Sequence, residues 1–258
     1  MSLKAFNVVI FGGHGKVSLR LTRLLTSRPN TAVTSIIRNP DHAVGIQAAG
    51  ATPLILSLED NSVFDLSSTL KDIKPSVIYF CAGSGGIGGP ERLKAVDEDG
   101  AIKVFDAIES LSGSSLTKDL ESPRLILLSS LDVRDTSKPH PEHYTPEDIK
   151  HSAAFHQAIG PYLIAKYNAD KNLSARSSFK WTILRPNWYM EESGVGKGQI
   201  GKGHLSRNIS RDDVAKVLFL LLEREGAHGL GIDLVGGEEP LEDGLDTFIR
   251  KGESDFVV

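Results

Sequence analysis

The sequence predicts an α/β fold: a doubly wound, mostly parallel sheet with helices on both faces. Short apolar runs alternate with segments of helical period along the chain, most runs are apolar on both faces, and a glycine-rich turn follows the first of them. Strands covered on both sides read as continuous apolar runs. Their alternation with helices indicates right-handed βαβ units.

The runs predicted as strands are rich in Val, Ile, Leu and Phe and are bounded by turn residues. The segments between them carry apolar residues at helical spacing, as at Val17, Leu21 and Leu25. Ser210 to Asp213 has the pattern of a capping box and opens a later helix. The predicted strands are Asn7–Phe11, Val33–Ile37, Pro53–Leu58, Val77–Cys81, Leu125–Leu128, Lys180–Leu184 and Ile232–Val235.

Two segments depart from this alternation. Ser110–Ser122 is rich in Gly, Ser and charge, and is predicted as a surface loop. Asp132–Gly160 holds several prolines and histidines and is predicted as a long functional or lid loop before the next helix. Because no linker divides the chain, we expect one domain over 1–258, with small substrate-side elements at about 132–160 and 187–209.

Composition narrows the classes of function. The chain has 258 residues, and 29 basic against 33 acidic side chains give a net charge of −4. This balance argues against nucleic acid as the main partner, because duplex binders concentrate Lys and Arg. The one cysteine, Cys81, excludes a disulfide framework. The longest apolar run, Val217 to Leu222, is too short to span a bilayer, and the N-terminus lacks a signal-peptide pattern. We expect a cytoplasmic globular protein.

Three other chemistries are disfavoured. The histidines from His140 to His156 lie in a proline-rich predicted loop, which is a poor frame for a metal. Asp97 to Asp99 are expected to form a solvated helix face rather than a paired-carboxylate hydrolase site. The serines that end the fifth predicted strand lack the G-x-S-x-G elbow of an esterase.

The first predicted strand ends in Gly12-Gly13-His14-Gly15-Lys16-Val17-Ser18, and a helix follows at once. Glycine permits a positive φ at a tight turn and a close approach of backbone to ligand. The helix N-terminus offers unpaired N–H groups and a positive dipole end to a phosphate. A strand before and a helix after form the context that a nucleotide fingerprint requires. The turn predicts nucleotide binding; the alternative is a tight turn without a ligand.

The end of the second predicted strand bears on which nucleotide is bound. A site for NAD usually places Asp or Glu there, as an acceptor for the ribose 2′-hydroxyl. This chain has Ile36-Ile37-Arg38-Asn39-Pro40 instead. A guanidinium can grip a 2′-phosphate and stack on adenine. Arg38 therefore favours NADP(H) over NAD(H), and the alternative is a solvated surface arginine.

Further candidates follow the fourth and fifth predicted strands, because ligands of an open α/β sheet lie outside the carboxyl ends of its strands. Ala82 and Gly83 leave room for a ribose or a nicotinamide, or belong to a merely flexible loop. A hydroxyl of Ser129 or Ser130 is placed to hydrogen-bond a substrate carbonyl or the nicotinamide.

Tyr162 and Lys166 lie four residues apart, on one face of a helix. A nearby ammonium lowers the pKa of a phenol and makes it a usable acid–base group. The alternative is a tyrosine at the edge of the core and a solvated lysine. Trp188 and Tyr189, after the sixth predicted strand, either wall a substrate pocket or belong to the core.

The chain resembles the atypical branch of the short-chain dehydrogenase/reductase superfamily. More narrowly, it is similar to the single-domain NAD(P)H-binding group that includes flavin- and biliverdin-reductase-like proteins and NmrA-like redox sensors. The resemblance implies a Rossmann fold and spans nearly the whole chain. Its matching pieces are VVIFGGHGKVS, IIRNP, YFCAGSGG, VDEDGAIKVFDA, LILLSSL, YLIAKYNAD, WTILRPNW, ISRDDVAKVLFLLLE and IDLVGGEEPLEDGL.

The resemblance also implies a role for matching positions. The glycine turn would hold the pyrophosphate, Arg38 the 2′-phosphate, and the residues after the fourth strand the ribose. The family pattern is broken at Ser18, where a glycine is usual, and at the end of the third strand, Ser57-Leu58-Glu59, where relatives place an aspartate near adenine. The implied cofactor-binding residues are Gly12, Gly13, His14, Gly15, Lys16, Val17, Arg38, Leu58, Ala82, Gly83 and Lys166. The implied catalytic residues are Tyr162, Lys166 and Ser129 or Ser130.

The resulting hypothesis is an NADP(H)-dependent oxidoreductase that passes hydride between the nicotinamide and a small carbonyl, quinone or flavin-like acceptor. The tyrosine would donate the proton. One alternative is a non-catalytic NADP(H)-binding redox sensor of the NmrA-like type, since relatives in this branch often lack a working tyrosine. Another is a sugar-nucleotide or isoprenoid-type reductase with a tightly held cofactor. We expect a small-molecule substrate, no metal, and a monomer or small homo-oligomer.

Overall fold

A computed structural model describes residues 4–85, 89–112 and 122–256 of the chain. Its strands are β1 (Phe6–Phe11), β2 (Thr31–Ile37), β3 (Thr52–Ile55), β4 (Val77–Phe80), β5 (Arg124–Leu128), β6 (Trp181–Pro186), β7 (Tyr189–Met190), β8 (Lys197–Ile200), β9 (Ile209–Ser210) and β10 (Gly231–Pro240). Its helices are α1 (Lys16–Ser27), α2 (Ala43–Ala48), α3 (Val63–Ile73), α4 (Gly89–Leu93), α5 (Asp99–Ser112), α6 (Pro146–Ser174), α7 (Arg211–Leu221) and α8 (Leu241–Lys251). A π-helical segment, Lys94–Glu98, joins α4 to α5.

The large sheet has the strand order β3-β2-β1-β4-β5-β6-β10-β8, and β7 pairs with β9 in a small second sheet. Its neighbours pair in parallel except β8, which runs antiparallel to β10. The order reverses between β1 and β4, and a crevice opens at such a switch point outside the carboxyl ends of the strands. The predicted doubly wound Rossmann fold is confirmed.

Strand β1 shows why the sequence builds two core layers. Its side chains alternate between faces because a strand has a period of two. Val8 and Ile10 pack in one cluster with α1, α7 and α8, whereas Val9 and Phe11 pack in the other with α3, α5 and α6. All four are fully buried. A run that is apolar on both faces thus holds helices on both sides of the sheet.

Helix α6 corrects the prediction of a loop over Asp132–Gly160, which was wrong from Pro146 onward. The Thr145 hydroxyl accepts a hydrogen bond from the Asp148 amide, and the Asp148 carboxylate accepts one from the Thr145 amide. This capping box, with proline in the first turn, is a strong start signal. The helix is kinked at Ile159, which has φ −131° and ψ 26°, because the following Gly-Pro removes an N–H and crowds the preceding turn.

Asp148 also holds the loop after β8 against the start of α6. Its carboxylate lies 2.7 Å from His204 Nδ1 and accepts a hydrogen bond of 2.7 Å from the Leu205 amide. Burial alone would raise the pKa of Asp148, but the hydrogen bonds from His204, Thr145 and Leu205 outweigh it and lower the pKa to about 2.

Replacing Asp148 by asparagine is expected to cost about 2 kcal/mol of the free energy of unfolding at pH 7. The pKa is lower in the folded state, so this stabilisation is present above about pH 4 and is lost as the pH falls through about 2. Urea unfolding of wild type and variant should therefore differ at pH 7 and converge near pH 2. Glu147→Gln, an exposed charge change one residue away, is the control; an equal effect of both substitutions would contradict the assignment.

Two other segments differ from the sequence-based expectations. Strand β8 lies in a segment rich in Gly and Lys that has no apolar run to predict a strand. Helix α5 continues to Ser112, and the rest of the predicted loop Ser110–Ser122 lies at 113–121, outside the described residues, with only its last residue described. Among the helices that the structure describes, none is long and apolar enough to cross a membrane.

Candidate functional site

The glycine turn brings three parallel strands close together. Gly12 has a φ of +77°, and a Cβ there would lie 2.5 Å from the Cα of Ala82. A Cβ on Gly13 would lie 2.5 Å from the Cβ of Ser35 in β2. Both distances are below any tolerable contact, and the first is to backbone that cannot move aside. These two glycines therefore allow the carboxyl ends of β1, β2 and β4 to meet.

The N-terminus of α1 is left open toward the crevice. The first N–H groups of a helix have no intrahelical partner, and no side chain caps those of α1, whose first turn holds no acidic residue. Helices α3, α6 and α7, by contrast, are capped by Ser62, Thr145 and Ser210 and carry acidic residues in their first turns. The start of α1 thus fits an external anion such as a phosphate.

A cleft of about 520 Å³ opens at this end of the sheet. Most of the residues predicted to bind the cofactor line it, whereas Gly13, Val17 and Lys166 do not. Gly13 faces Ser35, and the Val17 side chain belongs to the core. The predicted residues in the wall of the cleft are Gly12, His14, Gly15, Lys16, Arg38, Leu58, Ala82 and Gly83. Cys81 also lines it, and burial raises the pKa of its thiol to about 12.

One end of the cleft carries charged and aromatic side chains that the sequence analysis did not connect. Arg38 forms an ion pair with Glu59, and the Nε of Arg92 lies 3.5 Å from the other carboxylate oxygen. The rings of His14 and His42 stack with their centroids 3.7 Å apart. Burial and the neighbouring His42 lower the pKa of His14. The cleft therefore offers cations and flat rings near the carboxyl end of β2.

The structure separates the roles of the two serines that follow β5. The Ser129 hydroxyl is buried and donates a hydrogen bond of 2.7 Å to Asp170. The Ser130 hydroxyl donates a hydrogen bond of 3.3 Å to the Leu131 carbonyl and also lowers the pKa of the Tyr162 phenol, which lies just after the kink of α6. Of the two predicted alternatives, Ser130 is the one that contacts the tyrosine.

Lys166 lies deeper than a solvated lysine would. Its side chain is buried, and its Nζ lies 3.2 Å from Asp97 Oδ1 and 5.7 Å from the centroid of the Tyr162 ring. The other oxygen of Asp97 accepts a hydrogen bond of 2.9 Å from the Ser84 amide, next to the cleft wall. The expectation of a solvated face was therefore wrong for Asp97, which joins α6 to the turn after β4.

The environment of Tyr162 keeps its phenol protonated. Burial raises the pKa of the phenol, and the carboxylates of Asp97 and Asp170 raise it further. The hydrogen bond with Ser130 acts in the opposite direction and is the weaker influence. At neutral pH the phenol therefore holds its proton and has little phenolate to act as a base.

Comparison with known proteins identifies the family. Residues 12–225 match the family described as NAD(P)H-binding. The chain is 40% identical over 251 residues to UPF0659 protein C216.03 of Schizosaccharomyces pombe, covering 96% of this chain and 97% of that protein. It is 29% identical to the uncharacterized sugar epimerase YhfK of Bacillus subtilis, covering 92% and 98%. A solved structure from Bacillus halodurans, provisionally named an NAD-dependent epimerase/dehydratase, superposes with a TM-score of 0.74 at 25% identity, covering 94% of this chain and all of that one.

The chain belongs to the NAD(P)H-binding family. Its residues fit a dinucleotide: the α1 N-terminus is uncapped, the glycine turn lines the cleft, and Arg38 lies in the cleft wall after β2. Gly15 and Lys16, at the uncapped start of α1, are the residues that could hold the pyrophosphate of such a nucleotide.

The two aromatic residues after β6 differ in exposure. Trp188 stacks on Phe155 of α6 with ring centroids 5.9 Å apart and remains 54% exposed. Tyr189 is half-buried in β7, beneath the guanidinium of Arg211. Trp188 is therefore an exposed residue and not a core residue.

The predicted histidine cluster is dispersed. His156 Nε2 lies 3.2 Å from the buried carboxylate of Asp132, whereas His151 faces Glu147 on the surface of α6. Across residues 4–85, 89–112 and 122–256, no group of three or more metal-ligating side chains converges.

Sequence reasoning named Asp97 and Glu59 but missed the cations that they pair with, Lys166 and Arg38. A run of acidic residues at the start of a helix is usually solvated. The sequence does not show that a π-helical turn faces Asp97 inward. Glu59 follows a strand end, which was the available signal, but its partner Arg38 follows a different strand, β2.

Proposed function

We propose that the protein is an NADP(H)-dependent oxidoreductase that reduces a small carbonyl, quinone or flavin-like acceptor. The observation that carries the proposal is the placement of Tyr162, whose ring centroid lies 5.7 Å from the buried ammonium of Lys166 and whose phenol has a pKa raised by burial. The cleft and the tyrosine are linked through one carboxylate, because Asp97 contacts both the Ser84 amide and Lys166.

The nicotinamide, when bound, supplies the hydride. Tyr162 would donate its proton to the substrate oxygen as hydride adds to the adjacent carbon, which leaves a neutral alcohol. Ser130 would then stabilise the phenolate by donating its hydroxyl hydrogen. Lys166, held by Asp97, would stabilise the negative charge of the phenolate through its ammonium group, which lies over the Tyr162 ring.

The raised pKa of Tyr162 argues against an epimerase. An epimerase would begin by removing a proton from a sugar hydroxyl, for which a phenol with a raised pKa is a poor base. Reduction needs only a proton donor that holds its proton at neutral pH. This favours the reductase over a sugar epimerase, the name that one relative carries.

The cofactor preference rests on Arg38. Its side chain is 52% exposed and lies at the cleft wall after β2, which ends in no carboxylate of its own; the partner of Arg38 is Glu59, which follows β3. A guanidinium recognises a phosphate dianion through charge and paired hydrogen bonds. We therefore expect NADPH to bind more tightly than NADH.

Titration of the purified protein with NADPH and NADH tests the binding. Energy transfer from Trp188 to the reduced nicotinamide reports occupancy. Arg38→Ala should weaken the binding of NADPH about tenfold and the binding of NADH less than about twofold, because only NADPH carries the 2′-phosphate. Arg23→Ala, a surface arginine on the far side of α1, is the control. Failure of both nucleotides to bind the wild type would overturn the proposal.

The second candidate, a non-catalytic NADP(H) sensor, is favoured by the ion pair of Lys166 with Asp97. Asp97 neutralises the positive charge of Lys166, which would otherwise lower the pKa of Tyr162. A sensor would bind NADPH yet show no turnover with carbonyl, quinone or flavin acceptors. Turnover that responds to Tyr162 separates the two candidates.

A further inference from the structure

Glu59 is the only carboxylate among the described residues that line the cleft. It follows β3, the strand that neighbours β2, so it faces Arg38 across the carboxyl edge of the sheet. Its Oε2 pairs with Arg38, and its Oε1 lies 3.5 Å from Arg92 Nε. Two cations and one anion therefore share the end of the cleft where Arg38 would meet a 2′-phosphate.

The backbone around Glu59 is firmly held. Lys103 on α5 donates hydrogen bonds from its Nζ to the carbonyls of Leu58, Glu59 and Asn61, at 2.9, 3.3 and 3.2 Å. The Asn61 side chain in turn accepts a hydrogen bond of 3.1 Å from the Ser57 amide. The carboxylate is thus presented by a fixed loop, and a ligand cannot shift the loop aside without breaking these bonds.

The negative charge of Glu59 disfavours the binding of a 2′-phosphate at Arg38. A 2′-phosphate that reached Arg38 would have to take the guanidinium from Glu59 and then lie close to its negative charge. A ribose 2′-hydroxyl meets no such opposition, because a carboxylate at a strand end is the acceptor that NAD sites use. Here β3 provides the carboxylate that β2 lacks.

We propose that Glu59 is a specificity-determining residue that competes with the 2′-phosphate for Arg38 and limits the preference for NADP(H) over NAD(H). The inference rests on the nucleotide site of the proposed function. It requires no catalytic step and concerns only the adenosine half of the ligand.

The test uses the full chain and two probes that carry only this half, 2′,5′-ADP and 5′-AMP. Calorimetric titration gives the dissociation constant of each for wild type, Glu59→Gln and Glu59→Ala. In both variants 2′,5′-ADP should bind about tenfold more tightly, because a like charge near the phosphate is removed. Binding of 5′-AMP, which lacks the 2′-phosphate, should stay within about twofold for Glu59→Gln, which keeps an oxygen acceptor.

Asp60→Asn is the matched control, since it removes the same charge from an exposed neighbour. If Glu59→Gln changes the ratio of the two constants no more than Asp60→Asn does, the inference is wrong. Weaker binding of 2′,5′-ADP to Glu59→Gln would also overturn it, because Glu59 would then be positioning Arg38 for the phosphate.

The outcomes separate this inference from the proposed function. A shifted ratio in a protein that turns over no acceptor supports the role of Glu59 and contradicts the reductase. Normal turnover with an unshifted ratio supports the reductase and contradicts the role of Glu59. A wild type that binds neither probe nor NADPH overturns both.

Discussion

Tyr162→Phe is expected to lower turnover with a carbonyl acceptor about 10²- to 10⁴-fold, the range of a lost general acid. The variant keeps the ring and loses only the phenol oxygen. The dissociation constant for NADPH should change less than about twofold, because Tyr162 is not in the wall of the cleft. Steady-state kinetics and the fluorescence titration measure the two effects on the same preparation.

Tyr167→Phe is the control for this experiment. Tyr167 lies on the same helix but packs toward Phe256, with ring centroids 6.3 Å apart. It should lose little turnover. If Tyr162→Phe were equally silent while NADPH still bound, the reductase mechanism would be contradicted and the sensor supported.

The pH dependence of the turnover number is an independent test of the role of Tyr162. Because burial and the two carboxylates raise the pKa of Tyr162, the phenol stays protonated through neutral and mildly basic pH. The turnover number should therefore show no tyrosine-dependent fall between about pH 7 and 10, the ordinary pKa of a phenol. A fall with a midpoint well below 10 would show that Lys166 governs the phenol instead of Asp97.

The fold was predictable because its signals are local and repeated. The run Asn7–Phe11 is apolar on both faces and becomes β1, with helices packed on both sides. The glycine turn was predictable for the same reason, since Gly12 and Gly15 lie between one strand and the helix that follows it at once. The start of α6 was missed although its signal was also local, because Thr145 and Pro146 stood inside a segment dominated by prolines and histidines.

The site was less predictable because its decisive contacts join distant segments. Nothing near Lys166 in the sequence shows that its ammonium pairs with Asp97 from another helix. The choice between Ser129 and Ser130 depends on which hydroxyl Asp170 takes, which is a matter of side-chain direction. Residue types and order indicated the candidates, whereas the pairing of charges required the folded chain.

Asp97→Asn is expected to be the most damaging single substitution for stability at the site. Asp97 and Lys166 are both buried, and removing one partner of a buried ion pair leaves an uncompensated charge, at a cost of about 3–5 kcal/mol. Chemical denaturation at pH 7 measures the loss. Asp99→Asn removes the same charge from a half-exposed pair with Lys94 and should cost about 1 kcal/mol or less.

The same variant tests how the site sets its proton donor. Asp97 raises the pKa of Tyr162, so its loss should lower that pKa and move any basic limb of the turnover profile to lower pH. The asparagine side chain would keep an oxygen for the Ser84 amide, so the turn after β4 should hold its shape. A destabilised protein with an unmoved profile would show that Asp97 serves only to neutralise Lys166. A shifted profile would show that one buried carboxylate both holds the lysine in place and keeps the tyrosine ready to donate.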